Sequence, residues 1–412
     1  MTYPGCAPTI GRSSDRQLWS LSPPVRSNPA PGSSAFRKIS ALNLMSLFRP
    51  AAFLGFVVAS ILAVIVLTQE ASAALQPPDR ECAMSSARLR STRLASALQK
   101  GFGVQYWGAT YSAETLSQQP HGLLILEVTK IGATYSETGR EVFFSPEEIA
   151  KINRDGTRPT LGYLNVSEIE TYRDYWIDLV TESDTASPDD LPEWYGPTSS
   201  SGEHLAAYWT KAWQGIVLAR VDRLMQTGID GLFLDDVLHY YTQALDGTLR
   251  WPTGKRPESP EDAPEFALEM MRLVELIAAR AREWKCDAYI VVNNGVFIGR
   301  DAAGAEPGPE GKAGFSSYLN AIDAVMLENF SAATTNAGTI EALQQDFRDQ
   351  GVAVLSLDIL TQFPDQDPEK LRQTIAKKAA QSGFYPYIAA DEAFNQVAPP
   401  IQLPSGRPAV TE

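Results

Sequence analysis

Residues 228–237 read Gly-Ile-Asp-Gly-Leu-Phe-Leu-Asp-Asp-Val. Leu232, Phe233 and Leu234 form the unbroken apolar run expected of a strand covered on both faces, and it stops at two carboxylates, Asp235 and Asp236. The pattern recurs along the chain. Other apolar runs end in Tyr106-Trp107, Glu127, Asn165 with Glu168 just after, Asn293-Asn294, Glu328-Asn329, Asp358 and Tyr387. One such acid would be explained by capping of the next helix. Acids, amides and aromatics at eight successive run ends point instead to a shared pocket. The chemistry that needs two carboxylates and no metal, flavin or thiol is cleavage of a glycosidic bond. One acid protonates the leaving oxygen while the other attacks the anomeric carbon or activates water. Amides and further acids would hold hydroxyl or amino groups, and Tyr106 and Trp107 offer apolar platforms for a sugar face.

The elements that must position these residues alternate. Strands are expected at 102–107, 122–128, 160–166, 230–236, 288–293, 322–328, 352–358 and 383–389. Between them lie helix signals. Ser145-Pro146-Glu147-Glu148 supplies an N-cap, a first-turn proline and first-turn acids. Residues 205–227 and 264–284 carry apolar spacing along one helical face, and Pro368-Glu369-Lys370 opens the last helix. Eight strands alternating with helices predict an α/β fold of the (β/α)8 TIM type. A doubly wound sheet is the alternative, but no Gly-x-Gly-x-x-Gly follows the first strand and no P-loop occurs. In a barrel the strand C-termini face one pocket. Residues 187–203 and 299–317 read as long loops near its mouth.

Composition divides the chain. Residues 1–44 are rich in Ser, Pro, Gly and Arg and read as unstructured, or as sequence upstream of a true start at Met45. Residues 45–74 hold the uncharged run 51–67 and then Ala71-Ser72-Ala73, the pattern of a cleaved signal peptide or a retained signal anchor. Either reading places the body outside the cytoplasm, secreted or tethered to a membrane through 51–67. Residues 75–94 are expected to be a linker or N-terminal arm, 95–395 the catalytic domain and 396–412 a tail. From residue 75 onward acids exceed bases by about 18, which argues against a nucleic-acid partner and would attract a cationic polymer. Cys82 and Cys286 could form one disulfide in an oxidising compartment. The three histidines, His121, His204 and His239, lack metal-ligand spacing, so no metal or other cofactor is expected.

The segment Gly162-Tyr163-Leu164-Asn165-Val166-Ser167-Glu168-Ile169-Glu170-Thr171-Tyr172-Arg173, ending at Trp176, resembles the signature of the endo-α-1,4-polygalactosaminidases, glycoside hydrolase family 114. Tyr208-Trp209, Gly228–Asp235, Met326-Leu327-Glu328, Leu357-Asp358 and Gly383–Tyr387 agree in order, so the resemblance covers about residues 98–395. It implies a polysaccharide substrate, with Asp235 as nucleophile and Glu328 as general acid/base. It leaves Tyr106, Trp107, Glu127, Asn165, Glu168, Asn293, Asp358 and Tyr387 as substrate-binding candidates. Galactosamine units lacking acetyl groups carry ammonium, which Glu127, Glu168, Glu170 and Asp358 could pair with. Arg173 is expected to be structural, paired with an acid. Ser167 replaces the family's usual glycine, Glu127 its aspartate and Asp236 its asparagine. Two other readings stand beside hydrolysis of α-1,4-linked galactosamine polymer: a barrel that binds polysaccharide without cleaving it, and a hydrolase of another α-glycan.

Overall fold

A computed structural model describes residues 86–130, 140–182, 191–198, 203–241, 264–303, 314–331 and 335–401. Eight parallel strands follow one another around a single sheet. They are β1 (Phe102–Gln105), β2 (Leu123–Leu126), β3 (Thr160–Asn165), β4 (Gly231–Asp235), β5 (Tyr289–Asn293), β6 (Ala324–Glu328), β7 (Ala353–Ile359) and β8 (Tyr385–Ala389). Each lies within a predicted strand or one residue beyond it. β8 returns beside β1, where the Tyr387 hydroxyl donates to the Val104 carbonyl and the Tyr387 ring meets Phe102. The fold is a TIM-type (β/α)8 barrel.

Strand alternation sorts side chains into two cores. Phe102, Ile125, Tyr163, Phe233, Val291, Met326, Leu357 and their neighbours pack inside the barrel. Leu124, Leu164, Leu232, Leu234, Val292 and Val325 face outward, under the helices. The connecting helices start where local chemistry dictates. Ser145 and Glu148 form the reciprocal capping box ahead of Pro146–Ile152, and Asp367 caps Pro368–Ser382. Pro264–Trp284 lays ten buried side chains against the sheet and its neighbouring helices. The helix predicted from 205 begins at Lys211, because His204–Ala206 instead pairs with Glu168–Ile169 and Tyr195–Thr198 in a small antiparallel sheet above β3. Ser86–Leu98, in and beyond the stretch read as an arm, is a helix whose Leu94 and Leu98 join the barrel core, and Ala398 is buried as well.

Cys286 is disulfide-bonded. Cys82, the apolar run 51–67, the leader and the central parts of both long loops lie outside the described residues. Among the described residues no helix is long and apolar enough to cross a membrane.

Candidate active site

Three adjacent strands end in the same way. Asp235, Asn293 and Glu328 are the last residues of β4, β5 and β6, and all three occupy inward positions by strand alternation. The next residues, Asp236, Asn294 and Asn329, have φ of 60°, 59° and 55°. Asn and Asp tolerate this left-handed turn better than other side chains, so each strand can stop abruptly and leave its functional residue at the rim.

The centre of the site is an amide. Asn293 Nδ2 donates to Asp235 Oδ1 and to Glu328 Oε1, both at 2.8 Å. Those two oxygens are therefore at most about 5.6 Å apart, twice the 2.8 Å of each bond. Asp235 also accepts from the Tyr163 hydroxyl at 2.9 Å and from the Asp236 backbone N–H at 2.8 Å. Burial and the neighbouring Asp236 charge push Asp235 up to about 8, although its donors oppose them. Glu328 accepts from Asn294 Nδ2 at 3.3 Å, and its own N–H donates to Asn294 Oδ1 at 3.2 Å. Tyr106 stands edge-on to Tyr163, with ring centroids 5.0 Å apart. Burial first, then the charges of Asp235 and Glu328, hold its phenol well above the ordinary value, so it stays a neutral donor beside both acids. Trp107 is half-buried next to it.

Asp236 turns away from Asp235 into a second buried group. Asn165 Nδ2 donates to its Oδ2, and Ser167 Oγ donates to its carbonyl at 2.8 Å. Ser167 has then used its only proton, so the 3.0 Å contact with His239 must be donated by His239 Nδ1. Burial depresses the pKa of His239, favouring the neutral ring, and Nε2 then directs a lone pair toward Asp236 Oδ1 at 3.3 Å. Glu168, Asp236 and His239 each bring one ligand atom within 4.8 Å of the others. The arrangement suits a proton or a small cation such as an ammonium group.

The other candidates are placed elsewhere. Glu127 spends Oε1 on Thr129 and Oε2 on Arg173, and Glu170 is held by Arg173 and Tyr172. Arg173 is fully buried and pairs with Glu127, Glu141 and Glu170, as a structural arginine should. The longer Glu127 side chain thus reaches this cluster. Asp358 has the wrong parity: Leu357 and Ile359 point into the barrel, and Asp358 accepts from the Ser331 N–H and hydroxyl beneath the β6 loop. Burial raises it to about 6. Tyr387 faces inward one layer too deep, its hydroxyl bound between Val104 and Ala398. Asn165 accepts from the Ser167 and Glu168 N–H groups and so shapes the loop under Glu168. Asn294 was read from sequence only as a strand-end residue beside Asn293, and Tyr163 only as part of the family signature. Tyr163 stands two residues before Asn165, hence on the same inward side, and that parity would have found it.

Comparison with known proteins establishes the family. The profile of glycoside hydrolase family GH114 matches residues 133–400. An uncharacterised Thermotoga maritima protein is 28% identical over 185 residues, 44% of this chain and 49% of its own length. The chain therefore spans about half of that relative. A second, from Methanocaldococcus jannaschii, is 23% identical over 280 residues, 66% of this chain and 70% of its own. Among solved structures, the glycoside hydrolase domain of PelA from Pseudomonas aeruginosa aligns with TM-score 0.42 and 16% identity, covering 72% of this chain and 96% of that domain. Aspergillus fumigatus Ega3, in complex with galactosamine, aligns with TM-score 0.45 and 15% identity, covering 73% and 95%. By the extent of the family match, the chain belongs to glycoside hydrolase family 114.

Proposed function

We propose that this protein hydrolyses an α-linked, galactosamine-containing polysaccharide with retention of anomeric configuration. Asp235 is the nucleophile in this reading and Glu328 the general acid/base. The observation that carries it is the Asn293 amide bridging both carboxylates. The two bridged oxygens lie no more than about 5.6 Å apart, which favours the short carboxyl separation of retaining enzymes, roughly 5–5.5 Å, over the 6.5 Å or more that a water-activating pair needs. Glu328 protonates the glycosidic oxygen as Asp235 attacks the anomeric carbon. Glu328 then takes a proton from water as that water releases the glycosyl-enzyme. Asp235 must be ionised to attack, so the donors from Tyr163, Asn293 and the Asp236 N–H are what favour its charged form against burial.

Substrate charge follows from the adjoining group. Of the acids first considered for an ammonium, Glu127, Glu170 and Asp358 are engaged by the protein itself. Glu168, Asp236 and His239 converge beside the nucleophile, each bringing one ligand atom within 4.8 Å of the others, and this acidic group is where we place the ammonium of the substrate. We further propose that the protein works outside the cytoplasm, on the strength of the 45–74 leader pattern. The test is release of oligosaccharides from partly deacetylated α-1,4-galactosamine polymer by the full chain, beside Asp235→Asn and Glu328→Gln. Products from the parent and from neither variant support the reading. Binding of the polymer without release by the parent would make the barrel a carbohydrate binder and withdraw both roles.

A further inference from the structure

The opposite end of the barrel holds a cavity lined mainly by cations. Its volume is about 490 Å³, and its walls include Gly122, Pro159 and Asp230, which precede β2, β3 and β4, so it faces away from Asp235 and Glu328. Five cations line it, Arg93, Lys100, Arg154, Arg158 and Lys285, against the two acids Asp230 and Asp287. Both acids are already paired: Asp230 with Lys285 at 2.5 Å and Asp287 with Arg93 at 3.0 Å. Among the described residues no acid pairs with Lys100, Arg154 or Arg158.

Those two guanidinium groups donate to main-chain carbonyls only. Arg154 reaches Ser117 and Gln119, while Arg158 reaches Leu116, Gln119 and Ile152. The carbonyls lie in or just past the last turns of helices Ala113–Ser117 and Pro146–Ile152. Carbonyl oxygens at the ends of such short helices carry only partial charge, so they do not neutralise the two guanidinium groups. Arg158 is 2% exposed, its Nε has no partner, and burial with the Arg154 charge lowers it to about 10. His121, also on the wall, is 1% exposed beside the Ala398 backbone, and burial lowers it to about 4, so the ring is neutral. A buried guanidinium without a carboxylate, beside the exposed cations Lys100 and Arg154, leaves the wall of this cavity with an unbalanced positive charge.

We propose that this cavity binds the phosphate group of a small molecule, with Lys100, Arg154 and Arg158 supplying the charge. The excess of three positive charges suits a phosphate dianion better than a single carboxylate, and the volume exceeds what a bare ion fills. The proposal is independent of the sugar chemistry at the other end. It is tested by titrating the full chain with inorganic phosphate at constant ionic strength, reading thermal unfolding and binding heat, with acetate as the second arm. The comparison is Lys100→Gln/Arg154→Gln, two exposed side chains remote from the carboxylate pair. The expected result is saturable stabilisation of the parent by phosphate and not by acetate, with affinity at least about tenfold weaker in the double variant. If Arg154→Gln lowers the baseline stability, Lys100→Gln alone must still weaken phosphate binding. No stabilisation beyond the chloride control, an equal response to acetate, or an unchanged affinity in the variants overturns the proposal.

Discussion

Replacing Arg173 by methionine tests how the loops after β2 and β3 are held. Methionine keeps the apolar stem and removes a guanidinium that donates to Glu127 at 2.7 Å, to both oxygens of Glu170 at 2.8 and 2.9 Å, and to Glu141 at 3.1 Å. Glu141 keeps Arg220, which reaches its two oxygens at 2.8 and 3.0 Å. Glu127 and Glu170 lose their cation. Breaking a buried pair costs about 3–5 kcal/mol. A ceiling comes from proton uptake: neutralising one glutamate of ordinary pKa at pH 7 costs about 3.7 kcal/mol, so two cost at most about 7 kcal/mol. The variant should therefore be about 3–7 kcal/mol less stable than the parent at pH 7. Near pH 5 the same ceiling falls to about 1 kcal/mol for each acid, since little work is then needed to protonate them. The variant's deficit should therefore grow as pH rises, because a buried carboxylate without its cation is relieved only by taking up a proton. Urea unfolding of parent and variant at pH 5 and pH 7 measures both quantities. A deficit below about 1 kcal/mol at pH 7, or one that does not shrink at pH 5, would refute the account of this cluster.

Three further outcomes follow from the site. Asn293→Ala should lower kcat/KM by roughly a hundredfold or more, because it removes the amide that both carboxylates share, with a smaller loss of stability than Arg173→Met since Asp235 keeps the Tyr163 hydroxyl and the Asp236 N–H. Steady-state kinetics beside a melting curve separate this from a folding defect. Asp235→Asn should abolish hydrolysis yet stabilise the fold at pH 7. The parent pays for ionising or protonating a carboxyl whose pKa is raised to about 8, and that advantage should vanish near pH 3, where both folded and unfolded parent are protonated. Calorimetry at the two pH values decides it. Gly231→Ala should prevent folding, at a cost of about 3 kcal/mol or more, since a Cβ there would lie 2.1 Å from the Tyr289 carbonyl oxygen on β5. Far-UV circular dichroism and soluble yield report the result.

The barrel was legible because its strands are short, apolar and evenly interrupted by helix starts, and every predicted strand is present. The carboxylate pair was legible for the same reason: Asp235 and Glu328 terminate their strands. Side-chain direction was harder to read. Asp358 and Tyr387 sit at or near strand ends in the sequence, but one points outward and the other lies one layer too deep, which only the register of β7 and β8 establishes. Polar engagement was hidden altogether. Glu127 looks like a pocket acid until Arg173, forty-six residues later, is seen to occupy it. The left-handed residues that end β4 to β6 did leave a trace, the doubled Asp235-Asp236, Asn293-Asn294 and Glu328-Asn329, whose second members suit that turn.

The measurement closest to the central claim is the anomeric form of the first product. Proton NMR during the first turnovers on an α-linked galactosamine oligosaccharide would distinguish the two outcomes before mutarotation mixes them. A carboxylate pair bridged by one amide predicts the α-anomer first, with β appearing only by mutarotation. If the β-anomer forms first, a water attacks directly, Asp235 is not the nucleophile, and the Asn293 bridge does not set the reaction's geometry.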